Sequence, residues 1–458
     1  MCGIAAYYGP SAVPKIYRML IELQHRGQES AGISFINKQG RVKTIKGRGL
    51  VVEAVPFENL GDTGSAHAIG HVRYSTSGGF MDYGSQPVEI GVKPRISIAF
   101  NGNIINYREL GAKIGVKSDN ANDTIVLAHL LYKLTLDNNG DVVEAVKQLA
   151  DYVIGSYSVV VLTSEPRIVI ARDPHGFKPL AYSYTGKVFA AASETPALEQ
   201  ARLYEWTELG PGEIVSFDGK GVETTTARRK TVPTPCVFEY VYFSRPDSFF
   251  NGIQVHTARV RMGELLGITA PVEADLVIPV PDSGRSAALG YSRSTGLPFD
   301  EGLMRNRYVG RSFIMPPGLR ELVSDVKYGV IRDSVQGRRI VLVDDSLIRG
   351  TTMRSIIRVL RMHGAREVHV RIASPPVRYP CFMGIDFPTR RELIASRTRS
   401  INEIAEEIGA DTLEYNSLEN LKKAVGIPSL CMACFSGVYP FSNMDISQLE
   451  KIFARTVR

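Results

Sequence analysis

Cysteine and tryptophan are scarce in this chain, with 5 Cys and 1 Trp in 458 residues. Five thiols are too few for a disulfide scaffold, and their number is odd. In a cytoplasmic chain such thiols point to catalysis or metal binding. Long hydrophobic runs are missing as well. The longest apolar stretches are strand-sized, which excludes a transmembrane helix. The opening residues MCGIAAYYGP contain no basic cluster and no apolar stretch of signal-peptide length, so a cytoplasmic protein with no membrane contact is expected. Clustered basic charge is also absent. The formal net charge is +7, yet the longest basic run is Arg228-Arg229-Lys230, and elsewhere Lys and Arg alternate with acids. Without aromatic–basic interleaving, nucleic acid is not an expected partner. Small phosphorylated substrates account for the cations equally well.

What is present divides into two textures. In residues 1–230, IAAYYG, SAHAIGHVR and RISIAFNGNI read as strands, as do Ser156–Thr163 and Arg167–Ala171, with helices at Pro14–Leu23 and Asp123–Leu134. The pattern indicates an α+β unit with antiparallel pairing. It dissolves in VETTTARRKTVPTPC, polar and proline-containing, which is read as the boundary. In residues 231–458, ADLVIPVP, RRIVLVDD and EVHVRIASP are continuous apolar runs separated by helical stretches such as Thr351–His363. That alternation predicts an α/β unit with a parallel sheet buried on both faces. The tail from about Asp386 reads as two short helices followed by CMACFSG.

Cys2 follows the initiator methionine. Removal of Met1 would leave a thiol and a free α-amine on one residue, and an amine of pKa near ~8 can act as base for its own side chain. The chain then presents His25-Arg26-Gly27-Gln28-Glu29-Ser30-Ala31-Gly32, Gly70-His71-Val72-Arg73-Tyr74-Ser75-Thr76, Asn101-Gly102-Asn103-Ile104 and Asn122-Asp123-Thr124. With Cys2-Gly3-Ile4 these five motifs, in this order, resemble the class II glutamine amidotransferases. That resemblance implies an N-terminal-nucleophile glutaminase of αββα sandwich form, with Cys2 as nucleophile. It further implies an oxyanion hole at Asn101 and Gly102, and glutamine held by Arg73 and Asp123. Read singly, Arg73 suits a surface ion pair and Asp123 a helix N-cap.

In the second half, the strand Arg339–Val343 ends in Asp344-Asp345 and runs through Ser346-Leu347-Ile348-Arg349-Gly350-Thr351-Thr352 into a helix. Ligands of α/β sheets bind beyond the carboxyl ends of strands, and a helix N-terminus with free N–H groups cradles phosphate. Paired acids suit ribose hydroxyls or Mg²⁺. This stretch resembles the phosphoribosyl pyrophosphate loop of type I phosphoribosyltransferases. Val280-Pro281-Asp282-Ser283-Gly284 resembles their pyrophosphate loop, which implies Mg²⁺ at Ser283, Asp344 and Asp345. Arg305-Asn306-Arg307-Tyr308-Val309-Gly310-Arg311, a Pro-Gly break and Lys327 read as a mobile basic flap, with Lys327 on the phosphoribosyl pyrophosphate.

By residue type alone, Cys236, Cys381 and the pair Cys431-x-x-Cys434 suit zinc, an iron–sulfur centre or four buried thiols. Glutaminase followed by phosphoribosyltransferase is similar to the amidophosphoribosyltransferase family, which also shares the segment Phe238–Ser248. The cysteines resemble its cluster-containing branch. The resemblance implies glutamine and phosphoribosyl pyrophosphate as substrates, phosphoribosylamine as product and a [4Fe–4S] cluster on Cys236, Cys381, Cys431 and Cys434. Tyr74 is implied as the relay between the sites, with purine nucleotides as feedback inhibitors and a homotetramer as the assembly. Such relatives carry a leader peptide ahead of the nucleophile, whereas only Met1 precedes Cys2, so methionine removal alone is expected. Two other readings remain, another class II amidotransferase and a phosphoribosyltransferase-like regulator. The first would need a sugar-isomerase domain or an SGGxDS loop after residue 230, and the second a helix-turn-helix. None is found.

Overall fold

The computed structural model describes residues 2–60, 63–74, 84–116, 121–306, 328–387, 389–398, 400–441 and 445–454. Among them, the first half builds two stacked antiparallel sheets. One has seven strands in the order Thr207–Glu208, Ala181–Tyr184, Phe189–Ala192, Gly3–Tyr8, His67–Arg73, Ser30–Ile36, Val42–Arg48. The other has six, in the order Val222–Thr226, Glu213–Phe217, Arg167–Arg172, Gly155–Thr163, Ile96–Ile104, Val88–Ile90.

Side-chain alternation explains the layering, because successive residues of a strand face opposite sides. In Gly3–Tyr8, Ile4 and Ala6 enter the core between the sheets, while Ala5 and Tyr7 face the helix Ala12–Glu22. In Gly155–Thr163, Val160 and Leu162 face inward, and Val159 and Val161 meet the helices Asp123–Asp137 and Val142–Tyr152. Both faces of both strands are therefore apolar, and the result is an αββα sandwich. The edge strand Val42–Arg48 carries Lys43, Lys46 and Arg48, charges that discourage further pairing.

The second half is built on a parallel sheet in the order Leu276–Pro279, Arg339–Asp344, Glu367–Ile372, Thr412–Tyr415. Helices Arg285–Thr295 and Thr351–Met362 lie in the crossovers. The tail departs from the sequence reading here, since a fourth parallel strand, Thr412–Tyr415, lies between the helices Ile401–Ile408 and Leu418–Val425. Four residues with only Leu413 fully buried give no apolar run to detect. Among the described residues no helix is long and apolar enough to cross a membrane.

One apolar cluster joins the halves: Ile105 and Phe177 pack with Val237, Phe238, Tyr240, Phe382 and the four later cysteines. Beside it lies a buried charge cluster. Arg26 donates from Nε to the Cys2 carbonyl at 3.0 Å, from Nη2 to Glu239 Oε1 at 3.0 Å, and from Nη1 to Glu239 Oε2 at 3.1 Å and to Glu194. Burial works against the Arg26 charge, but Glu239 and Glu194 outweigh it and hold the proton more firmly than in an ordinary arginine. Removing one partner of a buried pair costs about 3–5 kcal/mol, whereas exposed pairs contribute little. Glu239→Ala should therefore lower the denaturation midpoint strongly, and Glu144→Ala, which breaks the half-exposed contacts to Lys147 and Arg228, should scarcely move it. Urea titrations of the two variants giving equal midpoints would contradict this.

Candidate active sites and a cysteine centre

Cys2 is buried at the head of the strand Gly3–Tyr8, and its N–H donates to Asn101 Oδ1 at 3.0 Å. That bond turns the Asn101 amide so that Nδ2, also buried, has no acceptor. Gly102 follows in the strand Ile96–Ile104, where a Cβ would lie 2.0 Å from the Ser156 carbonyl oxygen, so only glycine fits. Pairing of Gly3 with Val72 brings Arg73 and Tyr74 beside Cys2, whose thiol lies 3.9 Å from the Tyr74 carbonyl. His71, opposite Ile4, bonds through Nε2 to the Phe100 carbonyl at 3.2 Å. Burial and then Arg73 push its pKa down to about 3, so it is neutral.

Asp123 is not the N-cap of its helix. Asn122 fills that position, accepting from Ile125 N–H at 3.0 Å, and Asp123 accepts instead from Thr124 N–H at 2.9 Å and Ile104 N–H at 3.3 Å. Burial raises its carboxyl pKa, opposed by those two N–H groups and by the Arg73 charge. The Arg73 charge acts on Asp123 through space, and among the described residues the two form no ion pair. A cation and an anion set apart in this way can each take one end of an amino-acid zwitterion. Cys2, Asn101, Gly102, Arg73 and Asp123 thus lie near one another. The sequence reading missed Arg26, Glu194 and Glu239. The first lies within His25–Gly32 and the last within Phe238–Ser248, but nothing in either motif signals a buried ion pair.

In the second half, parallel register sets Pro279 against Val343, so the loop 280–284 and the acidic pair leave the sheet side by side. Val280 N–H donates to the Val343 carbonyl at 2.8 Å. Asp344 accepts from Asp345 N–H at 2.9 Å, and Ser283 and Ser346 both bond the Asp345 carboxylate. Burial raises the Asp345 pKa, and the bonds from Ser283 and Ser346 oppose it. Hard oxygen donors of this kind fit Mg²⁺. Gly350 takes φ +80° at the start of the helix Thr351–Met362 with no side-chain cap, which leaves the helix N–H groups open beside the exposed Thr351 and Thr352. Arg349 pairs with Glu392 and approaches the Asp386 carbonyl at 3.5 Å. Lys327 and the flap residues 307–327 lie outside the described residues.

The two sites are linked. Tyr74 donates its hydroxyl to Asp386 Oδ2 at 3.2 Å, so Asp386 stands between Tyr74, next to the Cys2 thiol, and Arg349 of the acidic-pair loop.

Cys236, Cys381, Cys431 and Cys434 are buried, unbridged and packed in one core. Cys236 and Cys431 form a parallel β-bridge, and Met383 N–H donates to Cys381 Sγ at 3.4 Å. Burial raises all four thiols, and Cys434 feels the charge of each of the other three. Among the described residues no group of three or more Cys, His, Asp or Glu side chains is placed to hold a metal ion. As a donor set, four thiols suit a four-thiolate iron–sulfur cluster or zinc.

The glutamine amidotransferase domain family matches residues 71–200. The amidophosphoribosyltransferase of Pyrococcus horikoshii is 46% identical over 448 residues, 96% of either chain. That of Bacillus subtilis is 40% identical over 452 residues, 96% of this chain and 94% of its own. Among solved structures, the glutamine phosphoribosylpyrophosphate amidotransferase of B. subtilis complexed with ADP and GMP gives a TM-score of 0.86 at 39% identity, over 97% of this chain and 99% of that one. A structure described as the allosteric regulatory enzyme of purine biosynthesis gives 0.89 at 39% identity, over 98% and 99%. Coverage this complete matches both halves in their order, rather than one shared module, and the chain belongs to the amidophosphoribosyltransferase family.

Proposed function

We propose that the chain hydrolyses glutamine at Cys2 and delivers the ammonia to phosphoribosyl pyrophosphate. The products are glutamate, pyrophosphate and 5-phosphoribosylamine, in the first step of purine synthesis. The observation that carries this reading is the buried, unpartnered Nδ2 of Asn101 beside Cys2. Removal of Met1 frees an α-amine, which takes the thiol proton as Sγ attacks the side-chain carbonyl carbon of glutamine. Neutral His71 is too weak a base to compete. The carbonyl electrons move onto oxygen, held by Asn101 Nδ2 and Gly102 N–H, donors worth about 3–4 kcal/mol each in such sites. Collapse expels ammonia with the proton returned by the amine, and water then cleaves the Cys2 thioester to glutamate. Arg73 takes the α-carboxylate through two parallel N–H groups, and Asp123 takes the α-ammonium.

At the second site Asp344 and Asp345 accept from the ribose hydroxyls. Ser346, Arg349, Gly350, Thr351 and Thr352 surround the 5′-phosphate with donors. Mg²⁺ would be held by Ser283, Asp344 and Asp345, and when bound it supplies charge neutralisation on the pyrophosphate. Lys327 adds a cation there. Ammonia bonds to C1 of the ribose as the C1–O bond to pyrophosphate breaks, and the protein acts by positioning and charge stabilisation. The four thiols at the junction hold a [4Fe–4S] cluster, a reading supported by the packing of four free, buried cysteines in one core. Purine nucleotides act as feedback ligands, consistent with the ADP and GMP of the B. subtilis relative. A homotetramer in the cytoplasm rests on the family resemblance alone.

Cys2→Ser should abolish synthesis from glutamine and leave synthesis from added ammonia, because the phosphoribosyl site does not use that thiol. Equal loss of both activities would contradict the two-site reading. Replacing Asp344 and Asp345 by Asn should cut phosphoribosylamine by orders of magnitude with either nitrogen source. Undiminished ammonia-dependent synthesis would remove this loop from the substrate site. Protein prepared without oxygen should be brown, with about four iron and four sulfide per chain. Zinc without sulfide would replace the cluster reading.

A further inference from the structure

Lys178 is fully buried, and its ammonium has no hydrogen-bond partner. A buried charge without a partner is among the most unfavourable groups a fold can contain. Comparable cations in this protein each have partners, although the Nε of Arg172 lacks one. Arg26 pairs with Glu194 and Glu239, Arg172 donates to the Leu209 and Gly176 carbonyls, and Arg259 donates to those of Tyr240 and Ser244. Lys178 alone among these four points at nothing within the protein. Its surroundings show what it faces. The preceding carbonyl, of Phe177, accepts the Cys236 N–H at 3.1 Å, and Phe177 belongs to the same core as all four cysteines. The Lys178 charge is felt at Cys236, Cys381 and Cys431, where burial raises the thiol and Lys178 opposes it. The backbone bond next to Cys236 sets Lys178 at the edge of the core that holds all four cysteines.

Four neutral thiols would leave this ammonium stranded. Four thiolates around an iron–sulfur core, or around zinc, form a net anion in the same place. We infer that Lys178 is the counter-cation of the four-cysteine centre, its ammonium donating to sulfur and offsetting the centre's negative charge. The inference rests on the metal reading of Cys236, Cys381, Cys431 and Cys434 given above, and adds a positioning residue that no cysteine motif predicts.

The test compares wild type, Lys178→Met and Lys178→Arg, each prepared without oxygen in the metal-loaded form. Lys178→Met should release metal to a chelator about 10- to 100-fold faster, the usual effect of losing an outer-shell partner, and Lys178→Arg should restore slow release. After metal removal the order should reverse in a thermal melt. Metal-free Lys178→Met should melt above metal-free wild type, because the stranded charge is gone. A packing role for the lysine stem would instead lower both forms alike. Unchanged release rates, or Lys178→Met melting lower in both forms, would overturn the inference and leave the metal reading standing. If the metal-free chains do not fold, the release rates decide. A wild-type protein that takes up neither iron with sulfide nor zinc would overturn both.

Discussion

Arg26 is almost completely excluded from solvent, and three parts of the chain supply its partners: the Cys2 carbonyl, Glu194 near the end of the first sheet, and Glu239 just past the polar boundary segment. A guanidinium cannot lose its proton to escape burial, so the fold must keep both carboxylates in place. Glu239 in turn accepts from Ser244 at 2.8 Å, and the Ser244 carbonyl accepts from Arg259 at 2.7 Å, in the helix Val255–Thr269. Glu194 also takes His25, Ser248 and the Arg245 N–H. The position of the nucleophile's own carbonyl is thereby made to depend on residues of the second half. Neither half can shift without exposing an unpaired buried charge, and this coupling holds the Cys2 site and the acidic-pair loop in fixed relation.

Against that rigid frame, the direct connection between the proposed sites is slight. Tyr74 reaches the Cys2 thiol through its carbonyl and Asp386 through its hydroxyl, and Asp386 lies beside Arg349. Burial raises the Asp386 pKa, and Arg349 is the first group to oppose it. Arg349 is also engaged by Glu392, so a phosphate in its loop would compete with that carboxylate and alter the charge felt at Asp386. Such competition gives the relay assigned to Tyr74 a physical form. It needs no long-range deformation, only a change of partner at one arginine.

The residues proposed to face a substrate were legible in the sequence because they lie in or at the carboxyl ends of strands in short, distinctive runs. Asn101-Gly102, Arg73 and Asp344-Asp345 are such cases, and the layers around them follow from continuous or alternating apolar strands. What stayed hidden depends on contacts across long separations. Arg26 and Glu239 lie 213 positions apart, and neither residue type signals burial. Lys178 follows the motif-free stretch Asp173–Phe177, and its residue type does not signal that it is fully buried. The strand Thr412–Tyr415 was missed because its sheet neighbour, rather than its own composition, makes it a strand. Asp123 taken singly suits a cap, and only the bond from the Ile125 N–H to Asn122 Oδ1 shows that the cap is already filled.

If one chain couples glutamine hydrolysis to phosphoribosyl pyrophosphate, the two reactions must keep step. The most direct measurement is glutamate release from glutamine by the intact protein, with and without phosphoribosyl pyrophosphate, with pyrophosphate followed in the same sample. Coupling predicts slow release alone, marked stimulation by phosphoribosyl pyrophosphate, and glutamate and pyrophosphate formed in equal amounts. Glutamate release indifferent to phosphoribosyl pyrophosphate, with no pyrophosphate formed, would contradict it.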